Sequence, residues 1–354
     1  MGASWYMQRL RAMTPGEMAW RFGQKILSFH EKKLFAHEMP VFECGAYGSV
    51  PEADLHRLGI EFKNDSYSVG AEIELLGDFR YADYRRCWHA AFQTPVDWTT
   101  CFSADYSFGA EGVPGDIRTN WELNRHYQFA LLAKSYFVTG VSSYLEELTD
   151  LFADWNRKNP FMWGPEWSSP MEESIRLVNW LFAAAFLEAS GNKDVVSLSN
   201  KLRAGAWAMA AHVREHYSRY SSANNHTVVE AAGVAVAPVV FGQERWLQEA
   251  LGLLESEVGL QTYSDGVNKE QALHYQLFVM EALCLVSHVL RTGGSSLSGT
   301  LVERLRSMAR YVRACCVGEG RYIEFGDDDE GIILNLAQTK PCYPEYVLTL
   351  ASLE

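Results

Sequence analysis

The sequence predicts a mainly α protein made of antiparallel helical hairpins, and three observations carry that prediction. From about residue 120 onward, apolar residues recur at helical spacing in segment after segment. Gly, Pro and Ser turns separate the segments, Thr139-Gly140-Val141-Ser142-Ser143-Tyr144 being a typical link. The connections are short and each segment has one apolar face, so consecutive helices must turn back on one another. Such pairs either curl into a toroid or stack as an open solenoid. No repeat of fixed period is visible, which disfavours the solenoid.

Taken in order, Leu10 to Lys33 reads as an amphipathic helix started by Thr14-Pro15-Gly16-Glu17, with Met18, Trp20, Phe22 and Ile26 as its apolar residues, serving as an N-terminal brace. Residues 40–115 are irregular and aromatic-rich. Glu72 to Gly77 suits a short strand, while Trp88, Trp98, Tyr106 and Phe108 suit either packing or a cleft cover. Helices are then expected at Trp121 to Val138, Ser143 to Trp155, Met171 to Ala189, Val195 to Tyr217, Thr227 to Phe241, Arg245 to Val258, Lys269 to Arg291 and Leu301 to Val317. The expected division is 1–115 for the N-terminal helix and irregular segment, 116–320 for the helical catalytic-type domain, and 321–354 for a linker or the start of a further domain.

With 354 residues and 48% hydrophobic content the chain can bury a large core. Its net charge of −13 disfavours nucleic acid or an anionic membrane surface as a partner, because such binding needs clustered Lys and Arg. A polyanion would have to bind through local cations. The seven cysteines are odd in number and show no Cys-x-x-Cys pair, so neither a disulfide framework nor a zinc site is expected; no metal and no cofactor are called for. The N-terminus lacks the apolar core of a signal peptide, and no window reads as a membrane span. The default expectation is the cytoplasm, with the periplasm or exterior as the alternative for a chain whose leader has been removed.

Two stretches concentrate polar chemistry. Ser221-Ser222-Ala223-Asn224-Asn225-His226-Thr227 places carboxamides and an imidazole at the start of an apolar, Ala-rich helix. Either asparagine also suits an N-cap, and His226 also suits an ordinary surface imidazole. The second stretch, Asp265 to Gln276, is a turn followed by a helix carrying Glu270, Gln271, His274 and Tyr275; pairs at i, i+4 would form two polar ladders while Leu273, Leu277 and Met280 enter the core. Amide donors that stabilise an enolate-like charge, beside a Tyr or His that moves protons, suit proton abstraction next to a carboxylate.

Asn225-His226 and Tyr275 in these settings resemble the heparinase II/III-type polysaccharide lyases, which include alginate and oligoalginate lyases. Trp121-Glu122-Leu123-Asn124-Arg125-His126-Tyr127-Gln128, Trp167-Ser168-Ser169-Pro170-Met171-Glu172 with Arg176, and Phe325-Gly326-Asp327-Asp328-Asp329-Glu330-Gly331 resemble further blocks of that family, in its order. The resemblance implies an incomplete α/α toroid, followed in the family by a β-sandwich domain for which residues 332–354 are too short. It also implies an acidic, uronate-containing polysaccharide or oligosaccharide as partner, cleaved by β-elimination with Asn225, His226 and Tyr275 as catalytic residues.

Supporting substrate contacts are expected from Trp121, Asn124, Arg125 and Gln128, spaced i, i+3, i+4, i+7 on one helix, and from Glu172, Arg176, Glu270, Gln271 and His274. Trp121 with Arg125 equally suits a cation–π pair, and Glu172 with Arg176 a plain ion pair. The acidic run 327–330 lacks the spacing of a calcium loop and reads as an exposed turn. Two rival functions are a noncatalytic glycan-binding domain of a polysaccharide-assembly system, and an inverting glycoside hydrolase using two of Glu172, Asp265 and Glu270 set ~6.5–9.5 Å apart.

Overall fold

A computed structural model describes residues 11–35, 50–53, 55, 58, 72–76, 79–108, 113–337 and 342–352. Leu10, Cys44 and Gly77 therefore lie outside the described residues. The helices are α1 (Pro15–Leu34), α2 (Ile117–Leu123), α3 (Tyr127–Thr139), α4 (Ser142–Lys158), α5 (Pro170–Ala189), α6 (Val196–Glu215), α7 (Asn225–Phe241), α8 (Glu244–Gln261), α9 (Leu273–Thr292), α10 (Gly299–Ala314) and α11 (Tyr343–Ala351). Among the described residues, strand is confined to two small antiparallel hairpins, β1 (Glu74–Leu75) with β2 (Phe79–Arg80) and β3 (Cys316–Gly318) with β4 (Arg321–Tyr322). The architecture is an incomplete α/α toroid, and no β-sandwich occurs among the described residues.

Composition sorts the helices into two layers. α5, α7 and α9 are apolar nearly all round and are buried along almost their whole lengths, so they form the inner wall. The outer helices bury a single stripe: Leu148, Leu151, Phe152 and Trp155 on α4, and Leu247, Ala250, Leu254 and Val258 on α8. Inner neighbours pack in sequence, α3 on α5, α5 on α7 and α7 on α9, while α4, α6, α8 and α10 back them from outside. At Gly233 the inner wall is tightest: a Cβ there would meet the Cβ of Ser174 at 2.8 Å, so α7 crosses α5 where only glycine fits. By length and apolarity α9 would pass as a membrane span, against the sequence expectation, but it is a core helix buried within the toroid.

Two further expectations change. The helix expected from Trp121 to Val138 is broken, since Asn124 ends α2 and His126 takes a left-handed conformation (φ 64°) before α3 starts. Helix α1 begins as read, with Thr14 Oγ1 accepting from the Glu17 N–H at 3.2 Å. Of its expected apolar residues only Trp20 packs, against Tyr220; Glu17 and Glu31 are buried, while Met18, Phe22, Ile26 and Phe29 are exposed. The described residues after β4 also pack against the toroid. Ile332, Ile333 and Leu334 are buried, the N–H groups of Ile333 and Leu334 donate to Glu281 at 3.0 and 3.1 Å, and α11 packs on α9 and α10.

The aromatics of the irregular segment pack. Trp88 is buried and donates to Asp154 at 3.0 Å, and Tyr106 and Trp98 close around Phe108 and Trp121.

Candidate active site

The first wall of the site is the start of α7. Asn224 is the N-cap, its Oδ1 accepting from the His226 N–H at 3.0 Å, which frees Asn225 from capping duty. Asn225 is buried, and Glu270 accepts both its backbone N–H at 2.9 Å and its Nδ2 at 3.1 and 2.9 Å. Burial pushes the Glu270 carboxyl upward, and the Asn225 donors pull it partly back. Beside it, burial holds the His226 imidazole below its ordinary value, against the opposing pull of Glu172 and Asp329. A neutral ring results at neutral pH.

The second wall runs into α9. That helix begins at Leu273 because Gln271 is left-handed (φ 56°), so Glu270 and Gln271 precede it and the two polar ladders do not form. Asn268 shapes the turn: its Oδ1 accepts from the Glu270 N–H at 2.8 Å, and its own N–H donates to Gln276 at 2.7 Å. Leu273, Leu277 and Met280 enter the core as expected. Tyr275 is half-buried and its hydroxyl donates to Asp329 Oδ2 at 2.9 Å. Burial and then Asp329 raise this phenol, so it keeps its proton.

The third wall joins the chain break at residues 124–126 to the acidic loop after β4. Arg125 makes a bidentate pair with Glu172, Nε to Oε2 at 2.6 Å and Nη2 to Oε1 at 2.8 Å. Burial opposes the guanidinium charge, but Glu172, Tyr127 and Glu122 together outweigh it and keep Arg125 charged. The loop passes so close that a Cβ on Gly331 would fall 2.6 Å from Arg125 Nη1. Both His274 ring nitrogens are engaged with the loop, Nε2 with Gly331 O at 2.7 Å and Nδ1 with Asp328 at 2.9 Å, while Arg118 pairs with Asp329. The acidic run is exposed as expected except at half-buried Asp329, and Asp328 and Asp329 tie it into the site.

Together Arg125, Asn225, His226, Glu270, His274 and Tyr275 line one small cavity of about 80 Å³, with Asn224, Met171, Phe278, Asp329 and Gly331. An open groove of about 740 Å³ adjoins it, sharing His274 and bordered by Arg321, Tyr322 and Asp328. Glu172 stands behind Arg125, whereas Gln271 is exposed outside the cavity lining. The helix break removes the expected stripe. Asn124 is fully buried, donating to the Trp88 and Asn120 carbonyls and accepting from Trp155; Gln128 donates to Leu123 O; and Trp121 donates to Pro165 O. Arg176 is not Glu172's partner. It is buried between Trp155 and Trp167 and donates to the carbonyls of Asn124 and Glu166, a structural clamp.

The residues that sequence reasoning passed over are Asp329 and Arg118, the acceptor and the counter-charge behind Tyr275. Their signal was faint, an acidic run 54 residues from Tyr275 in the chain.

Residues 75–345 match the sequence profile described as Heparinase II/III N-terminus, which is most of the chain. The chain belongs to the heparinase II/III family. Among curated relatives of this family member, the heparin-sulfate lyase of Bacteroides thetaiotaomicron is 28% identical over 202 residues, covering 54% of this chain and 28% of that protein. That of Bacteroides stercoris is 25% identical over 189 residues, covering 48% and 28%. The alignment therefore spans little more than a quarter of the length of these relatives. The crystal structure of heparinase III superposes with a TM-score of 0.50 at 18% identity, over 81% of this chain and 43% of that one, and it shares the toroid fold. The family is one of polysaccharide lyases.

Proposed function

We propose that this toroid cleaves a uronic-acid-containing glycan by β-elimination. The observation that carries the reading is the pairing, in one cavity, of a neutral imidazole, His226, with a phenol that keeps its proton, Tyr275. The heparin-sulfate lyase relatives support a glycosaminoglycan as the substrate class. The adjoining groove is roomy enough for flanking sugars.

In this reaction the uronate carboxylate is neutralised by the Asn225 carboxamide, which shares its Nδ2 donors between Glu270 and the substrate, with the charge of Arg125 behind it. Neutralisation acidifies the hydrogen on C5. His226 takes that proton, the electron pair becomes the C4–C5 double bond, and the C4–O glycosidic bond breaks. Tyr275 gives its proton to the leaving oxygen, which replaces Asp329 as acceptor; no water is consumed. Glu270 orients Asn225, and His274 holds the acidic loop in place. A hydrolase is less well supported, since Glu172 is committed to Arg125, Glu270 to Asn225, and Asp265 is exposed outside the cavity lining.

The test is ultraviolet absorbance of the unsaturated uronate during incubation with heparan sulfate, alginate, hyaluronan and polyglucuronate, for wild type beside Tyr275→Phe. Absorbance should rise on at least one glycan and fall by ~10²-fold or more in the variant. New reducing ends without ultraviolet absorbance would mean hydrolysis, and glycan binding without cleavage would mean a binding domain.

A further inference from the structure

Behind the first turns of α5, away from the cavity, lies a second cluster of polar groups that the proposed reaction does not use. Successive residues on α5 point different ways: Glu172 toward Arg125, and Glu173 toward His212 on α6. His212 on α6 and His216, which caps that helix's C-terminus, stand one turn apart with ring centroids 4.2 Å apart, and Glu31 reaches them from α1. His216 Nε2 lies 2.7 Å from Glu31 Oε1, and His212 Nε2 lies 4.0 Å from the same oxygen. One ligand atom from each of the three residues falls within 4.8 Å of the others.

Hydrogen bonding singles out the free electron pairs. His212 is almost completely buried, and its Nδ1 is bound to Glu173 Oε2 at 2.9 Å, yet its Nε2 has no hydrogen-bond partner among the described residues. Glu31 Oε2 is likewise buried without a partner. A carboxylate on Nδ1 fixes the imidazole tautomer so that the Nε2 lone pair faces outward, which is the arrangement that supports a metal-bound histidine. Two buried carboxylates, Glu31 and Glu173, also concentrate negative charge that a divalent cation would balance. In a tetrahedral site with bonds near 2.0–2.1 Å, ligand atoms sit about 3.4 Å apart. The present spacings bracket that value, so small side-chain rotations suffice.

We propose that Glu31, His212 and His216 bind a zinc ion, with Glu173 positioning His212 and a fourth position left for water. The ion would staple α1, which otherwise meets the toroid through contacts such as Arg21 to Ser221 and Trp20 to Tyr220, onto α6 beside the first turn of α5. Its role would be structural, since all three ligands lie outside the cavity lining. The proposal stands apart from the lyase reading, because the readout is metal and not turnover.

The experiment is titration of chelator-treated, dialysed protein with cobalt(II), followed in the visible range, then displacement by zinc. One equivalent per chain should give the strong d–d bands of a tetrahedral site, which zinc bleaches, and zinc should raise the melting temperature. Glu31→Gln and the partly exposed His216→Gln should each abolish the bands, and Glu173→Gln should weaken binding ~10–100-fold. Absence of saturable binding by wild type would overturn the proposal and leave a metal-free ion-pair cluster. Thiolate charge-transfer bands, or binding unchanged in both ligand variants, would overturn it by placing the metal elsewhere.

Discussion

Glu270 holds Asn225 at two points, accepting its backbone N–H at 2.9 Å and its side-chain Nδ2 at 3.1 and 2.9 Å. The two residues lie 45 positions apart, one at the start of α7 and the other just before α9, so this contact joins two walls of the cavity. It leaves the Asn225 carboxamide a single orientation.

Glu270 therefore acts through Asn225, and the two substitutions should not add. Asn225→Ala is expected to lower kcat by ~10²–10³, as for loss of one oxyanion donor. Glu270→Gln, which presents an amide to the donors of Asn225, should lower it by a smaller factor. The double variant should match Asn225→Ala alone. Steady-state kinetics on the unsaturated product measure this, and additive losses would mean that Glu270 meets the substrate itself.

The acid limb of the pH profile should belong to His226. Burial lowers its pKa below the ordinary 6.5, so the base form persists at neutral pH and is lost only when the pH falls through that depressed value. Plotting kcat/KM against pH should show a limb below 6.5. A limb retained in the residual activity of His226→Gln would assign the base elsewhere.

Stability should carry its own pH signature from Glu230. This carboxyl is fully buried in α7, where burial pushes it up to about 7 despite hydrogen bonds from the Ser218 N–H and hydroxyl, both at 2.7 Å. Between about 4.5 and 7 the folded chain holds a proton that the unfolded chain has released, so this group's contribution falls as pH rises. Relative to Glu230→Gln, wild type should lose on the order of 2–3 kcal/mol between pH 5 and pH 8. Urea denaturation of both proteins at the two pH values measures the difference, and parallel curves would refute the elevated carboxyl.

Gly331→Ala tests the close approach of the acidic loop to Arg125. The added Cβ would sit 2.6 Å from Nη1 of a guanidinium already held through Nε and Nη2 by Glu172 and through Nη1 by Tyr127. Either the ion pair or the loop must move. A loss of roughly 1–3 kcal/mol in urea denaturation is expected, with activity falling because Tyr275 loses its register with Asp329. Full stability with full activity would show that the loop yields freely.

Much of the architecture was legible because helix formation is local. The Thr14 cap, the Gly140 stop and the apolar stripes of α4 and α8 are written in residues a turn or two apart. The membership of the site was partly legible for the same reason, since Asn225 and His226 are adjacent and His274 and Tyr275 open one helix. The misread positions were those decided by distant partners. Trp121 to Gln128 scans as one helix, but burial of Asn124 against Trp88 and Trp155 breaks it and leaves only Arg125 at the cavity. Arg176 lies in helical register with Glu172, yet Arg125 takes the carboxylate and the tryptophans take Arg176.

The sequence by itself determined the helices, their order and the polar residues at the head of α7 and α9, because capping, periodicity and turn chemistry act over a few residues. Only the tertiary structure decided which charges pair, which imidazole stays neutral and which glycine must remain bare. Those outcomes depend on burial and on contacts between segments far apart in the chain, where desolvation and geometry together select one partner among several of the same chemical type.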